Sequence, residues 1–455
     1  MSDPTIAIDA TFAQFLGTLD HGVKIPHAVR AAIAQHTLEV LAGVFAGTGV
    51  AEMKPVLQSY ARPQGTVAIP GTPFRSETSL AAGATAALSH AAELDPIHAR
   101  TVVCPAAVTI PAALALAQTI RISGRRYTAA VCAGYEAAIR LGGALDGATL
   151  LSKGWWPTAV CGSFAAAAAS AVCMGLDGEQ LQDALGIAVV HSGGLALGGP
   201  STPAARNLLC AHTVRIGVDA ALAARSGVAG PRRLFSGSRN VLTAFASSSD
   251  AGSIAAGLAE RWMILETSLK CWPCALQAQS ALDALRRLSA GRTAAAAAQS
   301  LEIRLPSPMR RIVDHPERPL TRWAAAASLQ FLAASLLLDG DILDSRLEAA
   351  GRRDPCVLDL MGRVHLVDDS TLESRYPEEW PASVRLRDLQ GEAVMESSLP
   401  PGHPRCPLPV EISEARLRHY AAPRLSSEKI DSAITFVKTL DQQHDMGGII
   451  ELLRP

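Results

Sequence analysis

Up to about residue 295 the apolar positions follow a helical period, and beyond it they alternate. Over 12–47, apolar residues recur at spacings of three and four, which predicts two helices with Ile25-Pro26 opening the second. Gly43 and Gly47 there permit either close approach of another helix or a terminating turn. Residues 55–75 carry Pro63, Gly65, Pro70, Gly71 and Pro73 and read as loop. Helical pattern returns over 79–90, after Pro105, and over 127–141, 157–174, 179–190, 208–227 and 254–263, with SGGLALGGP (192–200) as an interruption.

Later segments have a period of two. SLEIRLP (300–306), GRVHLVDD (362–369) and SVRLRDLQGEAV (383–394) read as strands, with Leu389-Gln-Gly as a turn. A helix over 322–338 separates the first two. PPGHPRCPLP (400–409) reads as a linker, and 412–453 as helices that dock back on the first domain. The expected class is mostly α with a smaller α+β domain: a large helical domain over 1–270, a mixed α/β domain over 271–405, and C-terminal helices over 406–455.

Composition sharpens this. A chain of 455 residues favours two domains. Aromatics are only 4%, so Ala, Leu and Val must build the core, which requires closely packed helices. Charged residues are only 18%, a surface compatible with subunit contacts, and a homodimer is expected. The 41 basic and 42 acidic residues form no basic stripe, which disfavours nucleic acid but leaves room for a local cationic pocket. Nine scattered cysteines do not resemble a secreted disulfide framework, and a cytoplasmic location is expected. MSDPTIAIDATFAQF lacks the pattern of a signal peptide. Residues 101–120 and 155–176 are apolar enough to mimic membrane spans, but their Pro and small polar residues suit buried helices, so no membrane partner is expected.

The densest chemistry lies in ELDPIHARTVVCP (93–105). Glu93, Asp95, His98, Arg100 and Cys104 fall within twelve residues, where a polar segment enters an almost uncharged helix. His98 is the local candidate for acid–base work, with Glu93 or Asp95 orienting it or acting directly. Tyr135 is a candidate proton donor, Arg140 a candidate for the border of the same cavity, and His191 a candidate to enter a cleft. No dinucleotide fingerprint, phosphate loop, HExxH or GxSxG is present. CWPC (271–274) is a CxxC without a partner, readable as scaffold, redox pair or half a metal site.

Several segments, in order, resemble the MmgE/PrpD family, which contains 2-methylcitrate dehydratase and cis-aconitate decarboxylase. They are IPHAVRAAIAQHTLEVLAGVFAG, HAAELDPIHARTVVCPAAVTIPAALALA, VCAGYEAAIRLG, GWWPTAVCGSFAAAAASAVCMGLD, LGIAVVHSGGL, ETSLKCWPCALQAQSALDAL, SLQFLAASLLLDG and DDSTLESRYPEEWPASVRL. The resemblance implies a helical domain with a lid-like α/β domain, a dimer, no organic cofactor and no metal. It also implies an active site from which this sequence departs. The acidic positions are Glu93 and Asp95. The family's His-Pro histidine corresponds to Cys104, its His-Pro-Thr histidine to Trp156, and the lysine after its glycine-rich turn to Arg206. Lys270 is retained. A following histidine corresponds to Ala275, and the tyrosine of SLxY to Phe331.

Arg206 and Lys270 would then clamp carboxylates and stabilise developing charge, with Trp156 and Phe331 shaping or filling the pocket. The implied activity is a cofactor-independent lyase, a dehydratase or decarboxylase of a small di- or tricarboxylate. Two alternatives stay open: an epimerase or isomerase that removes and returns an α-proton, and a non-catalytic homologue used for binding or structure. Convergence of Glu93, His98, Arg206 and Lys270 in one cleft is the geometric expectation.

Overall fold

Helix Pro157–Met174 lies at the centre of the large domain. Its sequence, PTAVCGSFAAAAASAVCM, is small or apolar on every side, and every residue from Pro157 to Cys173 is buried. Helices Gly124–Ala144, Pro203–Arg225 and Pro105–Leu116 pack around it. It is long and apolar enough to cross a bilayer, but 94% of its residues are buried against protein. The computed structural model describes residues 4–197, 203–246, 250–292 and 298–455. The last part of the 192–200 run, residues 198–200, lies outside them.

Small side chains set the spacing of these helices. Helix His27–Gly47 lies against Thr78–Ala91 so closely that a Cβ at Gly43 would stand 2.7 Å from the Ser89 carbonyl oxygen, and one at Gly47 would overlap Leu88. The glycines therefore serve close approach, which offsets their cost in helix propensity.

The helix expected over 254–263 is reduced to Gly252–Ala255 and a 3-10 turn, Met263–Glu266. Arg140 is the reason. Its guanidinium donates to the carbonyls of Ile254 (3.2 Å), Ala256 (2.6 Å) and Arg261 (3.2 Å), so these oxygens need no helical partner. Glu136 neutralises Arg140 at 2.6 Å and accepts the Met263 N–H at 2.9 Å. The local apolar pattern is overridden by one buried ion pair.

The second domain holds a four-stranded sheet in spatial order Val364–Asp368, Ser300–Leu305, Ala382–Asp388, Gly391–Ser397. The first pair is parallel and the other two antiparallel. The alternation seen in the sequence is real: Leu301, Ile303 and Leu305 point inward with Ala382, Val384 and Leu386, against helix Gln279–Ser289. The helix expected over 322–338 is broken at Ser328 into Arg322–Ala327 and Leu329–Asp339. The 400–409 segment is fastened to the fold: Leu269 N–H donates to the Gly402 carbonyl at 2.9 Å, and His403 packs on Trp380. Helices Val410–Ala421 and Ser427–Lys438 return to pack on His27–Gly47.

Replacing Arg140 by Leu strands a buried carboxylate and frees three carbonyls, of which that of Ile254 is buried. We expect a loss of about 3–5 kcal/mol in unfolding free energy, partly recovered in the Glu136→Leu/Arg140→Leu double variant. Denaturant midpoints measure both, and a single variant as stable as the parent would contradict this account.

Candidate active site

The site begins where helix Thr78–Ala91 ends. His90 lies in its last turn, and the chain then turns sharply through Glu93, whose φ is +58°. Ile97 forms a two-way backbone bridge with Ser268, both N–H···O distances being 2.9 Å. In that antiparallel register Asp95 lies opposite Lys270, and their side chains approach to 3.7 Å. Val102, at φ +56°, closes the loop by donating to the His98 carbonyl at 2.9 Å. A β-branched residue in this region is strained. Its side chain faces the cavity.

Two further helices start here, each with proline in its first turn. Cys104 is the N-cap of Pro105–Leu116 and Trp156 that of Pro157–Met174. The Cys104 N–H donates to Thr158 Oγ1 at 3.1 Å, which ties the two helix starts together.

Glu93 is the hub. Its Oε1 lies 2.7 Å from Arg206 Nη1 and accepts the Trp323 indole N–H at 3.1 Å; its Oε2 accepts from Lys270 Nζ at 3.1 Å. Arg206 is stacked between two indoles, 5.5 Å from the Trp156 centroid and 5.2 Å from that of Trp323. Its Nη2 lies 2.7 Å from His90 Nε2. A guanidinium only donates, so Nε2 accepts and the ring proton sits on Nδ1, facing Asp95 Oδ1 at 3.2 Å.

Electrostatics fixes the charge states. Burial alone would raise the Glu93 carboxyl, but Arg206 and then Lys270 outweigh it and bring it from the usual 4.5 down to about 2. Asp95 is likewise raised by burial but driven lower by Lys270 and His90. Burial pulls Lys270 down, yet Asp95 and Glu93 hold it above the ordinary lysine range. The Cys104 thiol is pushed up by burial and then by Asp95, so it stays protonated. The donor atoms of His90, Asp95 and Cys104 lie within 4.8 Å of one another, a possible set of metal ligands. The Lys270 ammonium stands 3.7 Å from the same Asp95 oxygen that faces His90, so a divalent ion there would meet a like charge.

These groups border a cavity of about 250 Å³ between the two domains, lined by Glu93, Cys104, Trp156, Arg206, Lys270 and Ala275 with Trp323 and His315 from the second domain. Glu93, Arg206 and Lys270 thus converge as expected, with Asp95 directly behind them.

Other candidates are placed elsewhere. His98 turns away: the bridge to Val103 directs its ring to Thr101 Oγ1 at 2.9 Å and toward Glu266 at 3.8 Å, outside the cavity wall. Arg100 is exposed, 3.9 Å from Glu378. Tyr135 lies fully buried with its hydroxyl 2.8 Å from His36 Nδ1, and it does not reach the wall. Arg140 is the structural clamp described above. His191 is exposed at a helix C-terminus, bonded to its own Ile187 carbonyl at 3.0 Å. Phe331 lines a separate cavity of about 140 Å³ inside the second domain. The CWPC loop is fastened by Gln279, which accepts from the Cys271 and Trp272 N–H groups; Cys274 is buried and its thiol pushed up, a poor redox nucleophile.

His90, Trp323, His315 and Arg416 are additions that sequence reasoning did not single out. Arg416 binds the carbonyls of Lys270 (2.7 Å) and Cys271 (2.6 Å) and the Glu39 carboxylate (2.9 Å). His90 precedes Glu93 by three residues, and tryptophan is rare in this chain; those were the available signals.

Comparison with known proteins agrees with the fold. Residues 10–253 match the MmgE/PrpD N-terminal domain and 272–442 the MmgE/PrpD C-terminal domain, so the chain belongs to the MmgE/PrpD family. It is 25% identical to a cis-aconitate decarboxylase-like protein, oryM, of Aspergillus oryzae, covering 86% of this chain and 85% of that one. It is 26% identical to the cis-aconitate decarboxylase of Homo sapiens, over 98% and 95%, and 23% identical to that of Aspergillus terreus, over 82% and 80%. Lyase chemistry on a polycarboxylate is thereby plausible for this chain.

The depressed Glu93 carboxyl makes a pH prediction. Its pKa is lower folded than unfolded, so its contribution is complete above about pH 4.5 and is lost as pH falls toward 2. The stability gap between the parent and Glu93→Gln should be flat above pH 5. It should shrink by on the order of 3 kcal/mol across that acid window. A gap independent of pH in denaturant titrations would show that Glu93 is not held ionised.

Proposed function

We propose that this protein is a lyase of a small di- or tricarboxylate, that the bond it breaks is carbon–carbon, and that its own side chains supply charge stabilisation and the proton. The observation that carries this reading is the balance of groups at the cluster. Two cations and a protonated thiol face the cavity, while Glu93 is bonded to Arg206, Lys270 and Trp323, His90 Nε2 accepts from Arg206, and Asp95 lies behind the wall facing Lys270 and His90. Such a cluster is rich in donors and poor in bases. Decarboxylation needs donors and no base; dehydration and epimerisation need a base at an activated C–H. The three relatives above carry names of cis-aconitate decarboxylases or their likes, which supports the same choice. An open cavity with charged walls speaks against a purely structural homologue.

One substrate carboxylate is held by the remaining N–H groups of Lys270 and Arg206. The scissile carboxylate leaves as carbon dioxide, and the electron pair of the broken C–C bond moves into the conjugated system that ends on the held carboxylate. Lys270 stabilises that charge. Lys270 or the Cys104 thiol then gives one proton to the carbon, and solvent restores it.

A second reading rests on His315. Its Nε2 donates to the Ile312 carbonyl at 3.2 Å, which leaves Nδ1 on the cavity wall as an acceptor and thus a base for proton abstraction.

Incubation in deuterated water with cis-aconitate, citrate and 2-methylcitrate separates the two. Decarboxylation releases carbon dioxide and puts one deuterium in the product, with none in recovered substrate. Deuterium in recovered substrate without carbon dioxide establishes the His315 reading instead. Lys270→Met should lower carbon dioxide release about 10²–10³-fold; equal rates would remove Lys270 from the mechanism.

A further inference from the structure

The charge count of the cavity limits what it accepts. Arg206 and Lys270 are the permanent cations on its wall. No Lys, Arg or His occurs at 1–3, 198–202, 247–249 or 293–297, the stretches outside the described residues. Both wall cations are already matched: Arg206 by Glu93, and Lys270 by Glu93 and Asp95. The cluster is therefore neutral before any substrate enters. A first carboxylate takes the remaining N–H groups of the two cations. Each further carboxylate enters an unmatched, low-dielectric space beside two fixed carboxylates.

Apart from Cys104, Gln277 and His315, the rest of the wall is apolar. Val102, Leu151, Leu276, Ile312, Ala326 and Ala327 face the same space, with the Trp156 and Trp323 rings beside them. The neutral donors on the wall with no hydrogen bond to the described residues are the Gln277 amide and the Trp156 indole N–H. Three carboxylates have too few donors here, whereas a hydrocarbon group finds a surface that water solvates poorly.

We propose that the substrate is a dicarboxylate with an apolar arm, one carboxylate on Arg206 and Lys270 and an alkyl or aryl substituent against the wall formed by Val102, Leu276, Ile312 and Ala327. This rests on the lyase reading of the same cavity and narrows its substrate from polycarboxylates in general to weakly charged, substituted ones.

The test is binding, which does not depend on turnover. Dissociation constants of the full chain are measured by calorimetry for 2-methyl-, 2-propyl- and 2-hexylsuccinate and for propane-1,2,3-tricarboxylate. Affinity should rise about fourfold per methylene between the methyl and propyl compounds, and the tricarboxylate should bind at least tenfold more weakly than 2-propylsuccinate. A flat series, a tricarboxylate that binds tightest, or no binding by any compound overturns the proposal. Ala327→Phe, which fills the arm's space, should erase the chain-length gain. A gain that persists in that variant places the arm elsewhere and overturns the assignment. Carbon dioxide release from the matching 2-alkyl unsaturated dicarboxylates is scored separately. Chain-length-dependent binding without it removes the lyase reading and leaves the binding preference standing.

Discussion

Glu93 holds the site together because it is the shared counter-charge of two cations, the buried Lys270 and the half-buried Arg206. Arg206 and Lys270 come from distant parts of the sequence, and each is desolvated. Either one, left alone in a low-dielectric interior, would cost several kcal/mol. A single carboxylate with one oxygen toward each solves both problems, and the Trp323 N–H fills a further lone pair. The backbone conformation at Glu93 follows from this. A positive φ at a non-glycine residue carries strain of about 1–3 kcal/mol, which persists because two ion pairs and a hydrogen bond determine where the carboxylate must be.

The scaffold around this carboxylate is built from remote contacts. The Ile97–Ser268 bridge sets the register that brings Lys270 opposite Asp95. Arg416, on a C-terminal helix, then holds the Lys270 backbone by its carbonyl, and Glu39 and Ser413 fix that arginine's counter-charge. The ammonium is thus positioned by three segments that meet only in the folded state. Its two carboxylate partners arrive on a fourth, and the indoles that flank Arg206 on two more. The last helices belong to the site's support even though none of their side chains borders the cavity.

That division explains what the sequence could reveal. Strand alternation at 300–305 and 382–388 is a local consequence of one buried face, so it is legible residue by residue. Helix Pro157–Met174 is legible because its side chains are uniformly small. The 254–263 segment misleads, since Arg140 lies more than a hundred residues earlier and takes its carbonyls. At the site, proximity in sequence made His98 attractive, but a one-turn loop separates the faces on which Glu93 and His98 stand, and its ring meets Thr101 instead. His90 was overlooked because a histidine ending an apolar helix has the pattern of a packed residue; only the fold brings Arg206 to its far nitrogen.

The departures that the sequence resemblance implies at the site make physical sense as a set. Cys104, Trp156, Arg206 and Ala275 all border one cavity, and Phe331 alone among them does not. An arginine in place of a lysine provides a planar cation that can lie between two rings, and the tryptophan in place of a histidine provides one of those rings. Each change is of little use without the other: an ammonium would not stack in that slot, and Arg206 without Trp156 would lose one face of its desolvated support. Together the residues present supply a fixed cation, an apolar wall and a thiol held in its protonated form. A site built in this way is equipped to hold negative charge and offers few groups that could abstract a proton.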